Sequence, residues 1–487
     1  MNSLGRTIVL GLVAYRDVLR SPQVLVLTPN SRAARALGVP ARALEDYATA
    51  LLVRASRGIA APYLAHCLLR DAVREAMNPA DPDGLTRTVR PALGTLFRAN
   101  ANLEVLTRNP SPRIQALGRI ARAYRDRLRQ RNLVDRAEVL TEAAKLPFTR
   151  ETLLVYGYPR LGTEELGFLD AAAGPGSVLY LPYEWPRGTE PGYAVFGDNE
   201  AARDFLEDRG WTCVRPELDS LDRGAALVRS FLTETHLGGV VQAQVYATVE
   251  AEVRGALAQV KALLVDGTAP EQIAVVARDD AFYGPTALAV AWEFGLPLRA
   301  LYAIPLAETR VGSWLRLALE VARDDFPYES TLRLLGHPLG PGIQPELWKV
   351  IRRRRPGCLA EWQATGVDLS GFTWPARDAR GAYVQRLREL IQNDDVRNQA
   401  APWAREMLAC NLLWENLGEL ENPADAATSF ETFVSDIGEI LGLLTVPMAP
   451  GRVGVELHTP LSLYGARYQS RLCAGSGGGS VSAAGSR

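Results

Sequence analysis

The chain has 487 residues, 47% hydrophobic and 22% charged, which excludes a mainly disordered or fibrous protein and leaves room for two to four domains with real cores. Basic and acidic side chains nearly cancel, 54 against 55 for a net charge of −1, so no global field argues for a polyanionic partner. No run approaches the roughly 18 consecutive apolar residues of a membrane span.

The short apolar run 8–13 is followed by Arg16, Asp17 and Arg20 rather than a small-residue cleavage site, which argues against a signal peptide. Cys67, Cys213, Cys358, Cys410 and Cys473 stand singly. With no CxxC pair, neither a zinc ribbon nor a disulfide framework is suggested, and a reducing, cytoplasmic setting is expected. The only lysines are Lys145, Lys261 and Lys349, so chemistry that needs a lysine has three candidates.

In chain order, residues 1–40 read as helix, strand, helix. Gln23-Val24-Leu25-Val26-Leu27-Thr28 has the short apolar run of a buried parallel strand, and Thr28-Pro29-Asn30-Ser31 opens a helix. Residues 43–146 are helical and rich in Ala, Leu and Arg, with a loop at 78–84. Strand character returns at 152–157, then a helix over 163–172 and a strand over 177–182. This βαβ rhythm resumes after 240: a strand at 244–247, an amphipathic helix over 249–265, a strand at 273–277 and a helix over 283–294. A second helical block spans 311–445, and the Gly/Ser run from Gly475 is linker composition, expected to be disordered.

The segments 25–35, 124–144 (with Leu133-Val134-Asp135), 155–165, 249–278 and 455–465 together resemble, in that order, the AddB/RecC-like helicase-nuclease family with its UvrD-type relatives. The resemblance spans nearly the whole chain. It implies an α/β fold of two P-loop-NTPase-like (RecA-like) parallel-sheet domains with inserted helical subdomains. The implied parts are a first domain from 1–42 and 147–238 with insertion 43–146, a second, incomplete one from 239–310 and 450–468 with insertion 311–449, and a disordered tail, 469–487. After Tyr468 the family continues into an apolar strand and a long further region, so the resemblance also implies truncation.

A working phosphate loop needs Gly-x-x-x-x-Gly-Lys-Ser/Thr, whose amides wrap the phosphates while Lys offsets charge and Ser/Thr holds Mg²⁺. The pattern is absent. Its nearest remnant, Gly5-Arg6-Thr7, has Arg for Lys, a planar fork for a compact ammonium, and reads better as a chain start or cap than as a nucleotide site. Tyr156-Gly157-Tyr158 stands where active relatives place metal-holding acids, and Glu164-Glu165 suit the first turn of a helix. In the later motif Tyr464 and Arg467 flank Gly465, where motors place Lys and an acid.

The nuclease relatives carry Asp/Glu-x-Lys for Mg²⁺; two positions before each lysine stand Ala143, Gln259 and Leu347, so the common form is absent. No cofactor is expected, with ATP and Mg²⁺ entering only if the degenerate loop works.

Arg119, Arg122, Arg125 and Arg129 cluster opposite the apolar face of a helix over 113–131. They suit phosphate tracking and equally a solvated face. Arg352, Arg353, Arg354 and Arg355 form a denser patch at a helix end, where they contact DNA or offset the dipole. By the resemblance, Thr459 lies in a DNA-facing motif, and Arg278 sits where relatives contact ATP. His66, His236, His337 and His458 form no constellation by spacing. The expectation is a non-catalytic, helicase-like DNA-binding scaffold for repair and recombination, partnered by DNA single strands or duplex ends and by a helicase-nuclease subunit, with no membrane. The alternatives are an active ATP-dependent enzyme with a mis-started loop, or a decayed gene product.

Overall fold

The computed structural model describes residues 5–13, 24–30, 33–34, 37–185, 194–216, 223–233, 242–420, 427–451, 453–463, 468–474 and 481–483. It is a mixed α/β fold with parallel sheets. Two compact units divide the chain, one from residues 1–290 and 458–487, the other from 291–457.

The first unit begins with a strand where a helix was expected. β1 (Arg6–Leu10) carries Thr7, Ile8 and Val9 in succession, and three β-branched residues in a row favour the pleated backbone over a helix. Ile8 and Leu10 are fully buried. β2 (Leu25–Leu27), β5 (Leu153–Val155), β6 (Val178–Leu181) and β7 (Trp211–Val214) complete a five-stranded sheet in the order β2-β5-β6-β1-β7. Every pairing is parallel; Ile8 lies opposite Leu179 on one side and Cys213 on the other.

Parallel neighbours need long crossovers, and the one from β2 to β5 holds the helical insertion. Its first helix, α1 (Leu44–Arg54), packs Leu44, Tyr47, Leu51 and Leu52 into the same core as Ile8, Leu27, Val155 and Phe168. α2 (Pro62–Met77), α3 (Pro82–Arg98), α4 (Leu103–Thr107) and α5 (Pro112–Gln130) build a separate core around Leu69, Phe97, Ile120, Tyr124 and Leu128. Asn78 ends α2 in the left-handed conformation, and Asp81 caps α3 through the Gly84 amide at 2.9 Å. The loop at 78–84 is therefore two helix caps back to back. A short parallel pair, β3 (Gly58–Ile59) with β4 (Leu133–Val134), ties the two ends of the insertion together, and α6 (Val139–Ala143) follows. α7 (Thr163–Ala172) joins β5 to β6, and α8 (Gly197–Glu207) leads into β7. α9 (Arg223–Leu232) closes this part.

Further on, α10 (Val249–Val265) and β9 (Ile273–Ala277) form as expected, and α11 (Asp280–Phe294) follows. The strand expected at 244–247 is shorter and earlier, β8 (Gln242–Ala243); Val245 is 81% exposed, so its apolar side chain has no face to cover. The expected disordered tail is also corrected. Residues 470–474 form β15 (Ser470–Ala474), parallel to β9 over five residues, with Leu472 only 1% exposed. An alternation of exposed Arg471 and buried Leu472 is strand patterning, overlooked beside the Gly/Ser run. β16 (Val481–Ala483) pairs antiparallel with β15 and β8; 475–480 and 484–487 lie outside the described residues.

In the second unit, β10 (Leu298–Pro305) pairs antiparallel with β13 (Thr445–Ala449) and parallel with β14 (Val455–His458). Between them run α12 (Arg310–Arg323), α13 (Tyr328–Leu335), α14 (Trp348–Arg354), α15 (Leu359–Gln363), α16 (Arg380–Gln392), α17 (Ala404–Leu417) and α18 (Phe430–Leu443). A small antiparallel pair, β11 (Arg377–Asp378) with β12 (Thr428–Ser429), lies among them. Trp374, Tyr383, Phe430 and Phe433 form an aromatic knot with centroids 5.0–6.2 Å apart, a spacing that adds to plain burial.

Hydrogen exchange should place the amides of Leu472 and Ala474 among the slow set of the protein, and Leu472→Asp should abolish that protection. Fast exchange there in the unmodified chain would contradict β15.

Candidate nucleic-acid interface

In an open parallel sheet, ligands bind outside the carboxyl ends of the strands. Here those ends border a crevice of 280 Å³ lined by Gly11, Leu12 and Val13 after β1, Tyr156 to Pro159 after β5, Tyr180 to Pro182 at β6, and Ala225 and Val228 of α9. None of these side chains carries a charge. The polar groups at the strand ends are already bonded: Trp185 Nε1 donates to Leu10 O at 2.7 Å, Tyr156 Oη to Val13 O at 3.3 Å, and Tyr158 Oη to Thr28 O at 3.0 Å. Asn199 Nδ2 donates to Pro159 O and Pro182 O at 2.9 and 2.8 Å. The Tyr158 hydroxyl also accepts from the Leu44 amide at 3.1 Å, and burial pushes its pKa well up. Arg229 holds α9 to Glu184 through two bonds of 2.8 and 3.2 Å.

A triphosphate and its Mg²⁺ need clustered amide donors, a cation and a carboxylate. The described walls of this crevice offer an apolar slot, so they do not fit that group. The remnant Gly5-Arg6-Thr7 is at the wrong end of the strand. Arg6 and Thr7 begin β1, so the loop that follows β1 starts only at Gly11. Arg6 pairs with Asp170 at 2.7 Å and lies 5.1 Å over the Trp211 ring, while Trp211 Nε1 donates to the same carboxylate at 2.9 Å. It is a structural clamp at the amino edge of the sheet. Gly5 is exposed and lies just before the strand.

Glu165 caps α7 by accepting from the Gly162 amide at 2.6 Å, the dipole role expected of that acidic pair. Arg278 is exposed just after β9, its amide bonded to Ala474 O at 3.3 Å. Thr459 locks a turn after β14: its amide donates to Ser462 Oγ at 3.1 Å, and its hydroxyl accepts from the Ser462 amide. Thr459 is thus occupied locally. His458 is buried between Ser462 Oγ and Tyr468 Oη at 3.0 and 2.9 Å. His66 is fully buried, 3.6 Å from Asp83, and His236 lies outside the described residues. Among the described residues no group of three or more His, Cys, Asp or Glu is placed to hold a metal. No described helix is long and apolar enough to cross a membrane.

The arginine stripe of α5 divides in two. Arg125 stands one turn after buried Ala121 and two after Gly118, so it lies at the margin of the packed face. There it pairs at 2.7 Å with Glu138, which is 4% exposed, and lies 4.9 Å over the Phe97 ring. Arg125 is therefore a core ion pair and not part of a free phosphate track. Arg122 pairs with Glu104 at 2.8 Å on the surface. Arg119 and Arg129 are exposed, with no ion-pair partner among the described residues.

Arg352, Arg353, Arg354 and Arg355 are all exposed at the end of α14. Arg352 lies 5.3 Å over Trp348 and Arg355 5.7 Å over Tyr328, and Arg354 donates to Ala364 O at 2.9 Å. Cations interleaved with aromatic rings suit nucleic acid better than a bare dipole offset. Lys349 adds a fifth exposed cation. The sequence reading missed these ring contacts, because Tyr328 is far from the arginines in the chain.

No model of a known protein family matches this chain, and no curated protein matches it.

Burial raises the Glu138 carboxyl above its ordinary range, with Arg125 opposing. The folded chain thus holds that proton more tightly than the unfolded one, and the group's contribution to stability falls as pH rises from the ordinary carboxylate range through the raised value. Burial also works to raise Glu142, but hydrogen bonds from Lys145 and Arg57 outweigh it and hold its pKa low; its contribution is lost as pH falls. Arg125→Ala leaves Glu138 buried without its cation and should cost about 3 kcal/mol in urea unfolding. Adding Glu138→Gln should recover most of that loss and flatten the acid-side pH profile. An additive double variant would show the pair to be uncoupled.

Proposed function

We propose that this chain is a helicase-like DNA-binding scaffold of the AddB/RecC kind, built on nucleotide-fold (RecA-like) α/β domains but without motor or nuclease chemistry of its own. It acts in DNA repair and recombination beside a partner subunit that supplies ATP hydrolysis and cleavage. One observation carries this reading: at the carboxyl ends of β1, β5 and β6, where a motor of this fold grips phosphate, the described residues that line the crevice are all uncharged. Two further features support it. The helical insertion interrupts a parallel sheet between β2 and β5, as the sequence resemblance implies, and the arginine clusters of α5 and α14 lie on helices of the inserted blocks.

The nucleic-acid contacts in this reading are Arg119 and Arg129 of α5, with surface Arg122 beside them, and Arg352, Arg353, Arg354 and Arg355 of α14. Phosphate contacts of this kind make binding strongly salt-dependent. A fluorescence anisotropy titration of the full chain with single-stranded and forked DNA should show saturable binding at roughly 50 mM salt, lost steeply by roughly 200 mM. Changing Arg119 and Arg129 together to Ala should weaken it uniformly across sequences and lower the salt slope by about 1 to 2. Absence of binding at the lower salt would end the proposal.

A further inference from the structure

The second unit holds a larger cleft, 570 Å³, walled by α12 and the end of α13. On α12, positions 313, 316, 317 and 320 form one face at helical spacing, opposite the packed face of Trp314, Leu315, Ala318 and Leu319. That face brings Arg316 and Glu320 to the cleft, while Arg333, His337 and the apolar Leu332 and Pro338 come from α13 and its exit. Arg333 is exposed, with no ion-pair partner among the described residues. The approach of Arg316 to Glu320 is a loose 4.0 Å, beyond hydrogen-bond distance, so its guanidinium can turn to another acceptor.

His337 adds a neutral donor. Its Nδ1 accepts from the Leu339 amide at 3.1 Å, which leaves the ring proton on Nε2. Burial and the nearby Arg310 lower its pKa, favouring the neutral ring. At the carboxyl end of α13, Leu332 O, Leu334 O and Leu335 O are bonded by the amides of Gly336, His337 and Gly342 at 2.9, 3.3 and 3.0 Å.

Helix α13 links the cleft to the arginine cluster. Tyr328, Leu332 and Gly336 follow one stripe of α13, about 12 Å from end to end at 1.5 Å per residue. Arg355 lies over the ring at its start, and its far end lines the cleft. The Tyr328 ring also stacks on Trp362 at 6.1 Å, so it positions Arg355; cations beside an apolar floor suit an unpaired strand, whose exposed bases lie on apolar side chains while phosphates meet guanidinium groups.

The geometry points to a single-strand DNA track across the second unit. It runs from Arg352–Arg355 and Tyr328 to a nucleotide subsite in the α12–α13 cleft, where Arg316 and Arg333 bind phosphate and Leu332 and Pro338 support the base. This rests on the DNA-binding reading above and adds the α12–α13 cleft to the contacts named there.

The test is anisotropy of a labelled oligothymidylate strand with the full chain at several salt concentrations. Arg316→Ala with Arg333→Ala should weaken binding about tenfold, the loss of one or two charge-assisted hydrogen bonds, and lower the salt slope by about 1.4, the value for two phosphates on a single strand. Glu320→Gln should tighten binding, since it removes the one carboxylate of the cleft. Both changed arginines are on the surface, so thermal unfolding should stay unchanged and report that the fold is intact. If the unmodified chain binds the strand and the double variant matches it in affinity and slope, the cleft is not on the path and the wider DNA-binding reading stands. If the unmodified chain does not bind at all, that reading and this one fall together.

Discussion

Carbonyls at the carboxyl ends of buried parallel strands must find donors, because an unbonded polar group away from water costs about 1–3 kcal/mol. In the first sheet backbone amides serve Leu27 and Leu181, and fixed side chains supply further donors: Trp185 on Leu10, Tyr156 on Val13, Tyr158 on Thr28, and Asn199 across Pro159 and Pro182. The described walls of the crevice are uncharged, and beside them Asn199 Oδ1 is buried without a hydrogen-bond partner. Ion pairs brace the sheet at its amino edge, Arg6–Asp170, and next to the crevice, Arg229–Glu184.

The helical insertion shows the same division between structure and contact. α5 is anchored by Arg125 on Glu138, and by Tyr124, whose hydroxyl donates to Asp135 at 2.6 Å. The outward side of the helix carries the exposed Arg119 and Arg129. In the second unit, Glu406 is fully buried, accepting from the Val311 amide at 3.0 Å and from Arg405 at 3.0 Å. This pins the start of α12, so the outward face carrying Arg316 has a fixed position.

Much of the architecture was legible because hydrophobic period is a local signal. β2, β5, β6 and β9, together with α7 and α10, lie where apolar runs and spacing put them. β1 was misread because its six-residue apolar run suits either a helix or a strand, and only the β-branched series 7–9 decides. β15 was masked by the neighbouring glycines. At the candidate sites, the reading saw the arginines but not their partners: Arg125 could be separated from Arg129 only by Glu138, which lies on another element. The α12–α13 cleft had no sequence signal at all, since its arginines come from two helices and neither stands in a cluster.

The account reduces to one coupling question: whether nucleotide and DNA communicate through this chain. Two ligands at coupled sites shift each other's affinity by the same factor, and a crevice whose described walls do not fit a triphosphate gives no such shift. The direct measurement is the single-strand DNA dissociation constant of the full chain with and without excess MgATP, at fixed free Mg²⁺ and ionic strength. The account predicts the same constant in both. A reproducible shift of several-fold in either direction, removed when Tyr158 is changed to Ala, would contradict it.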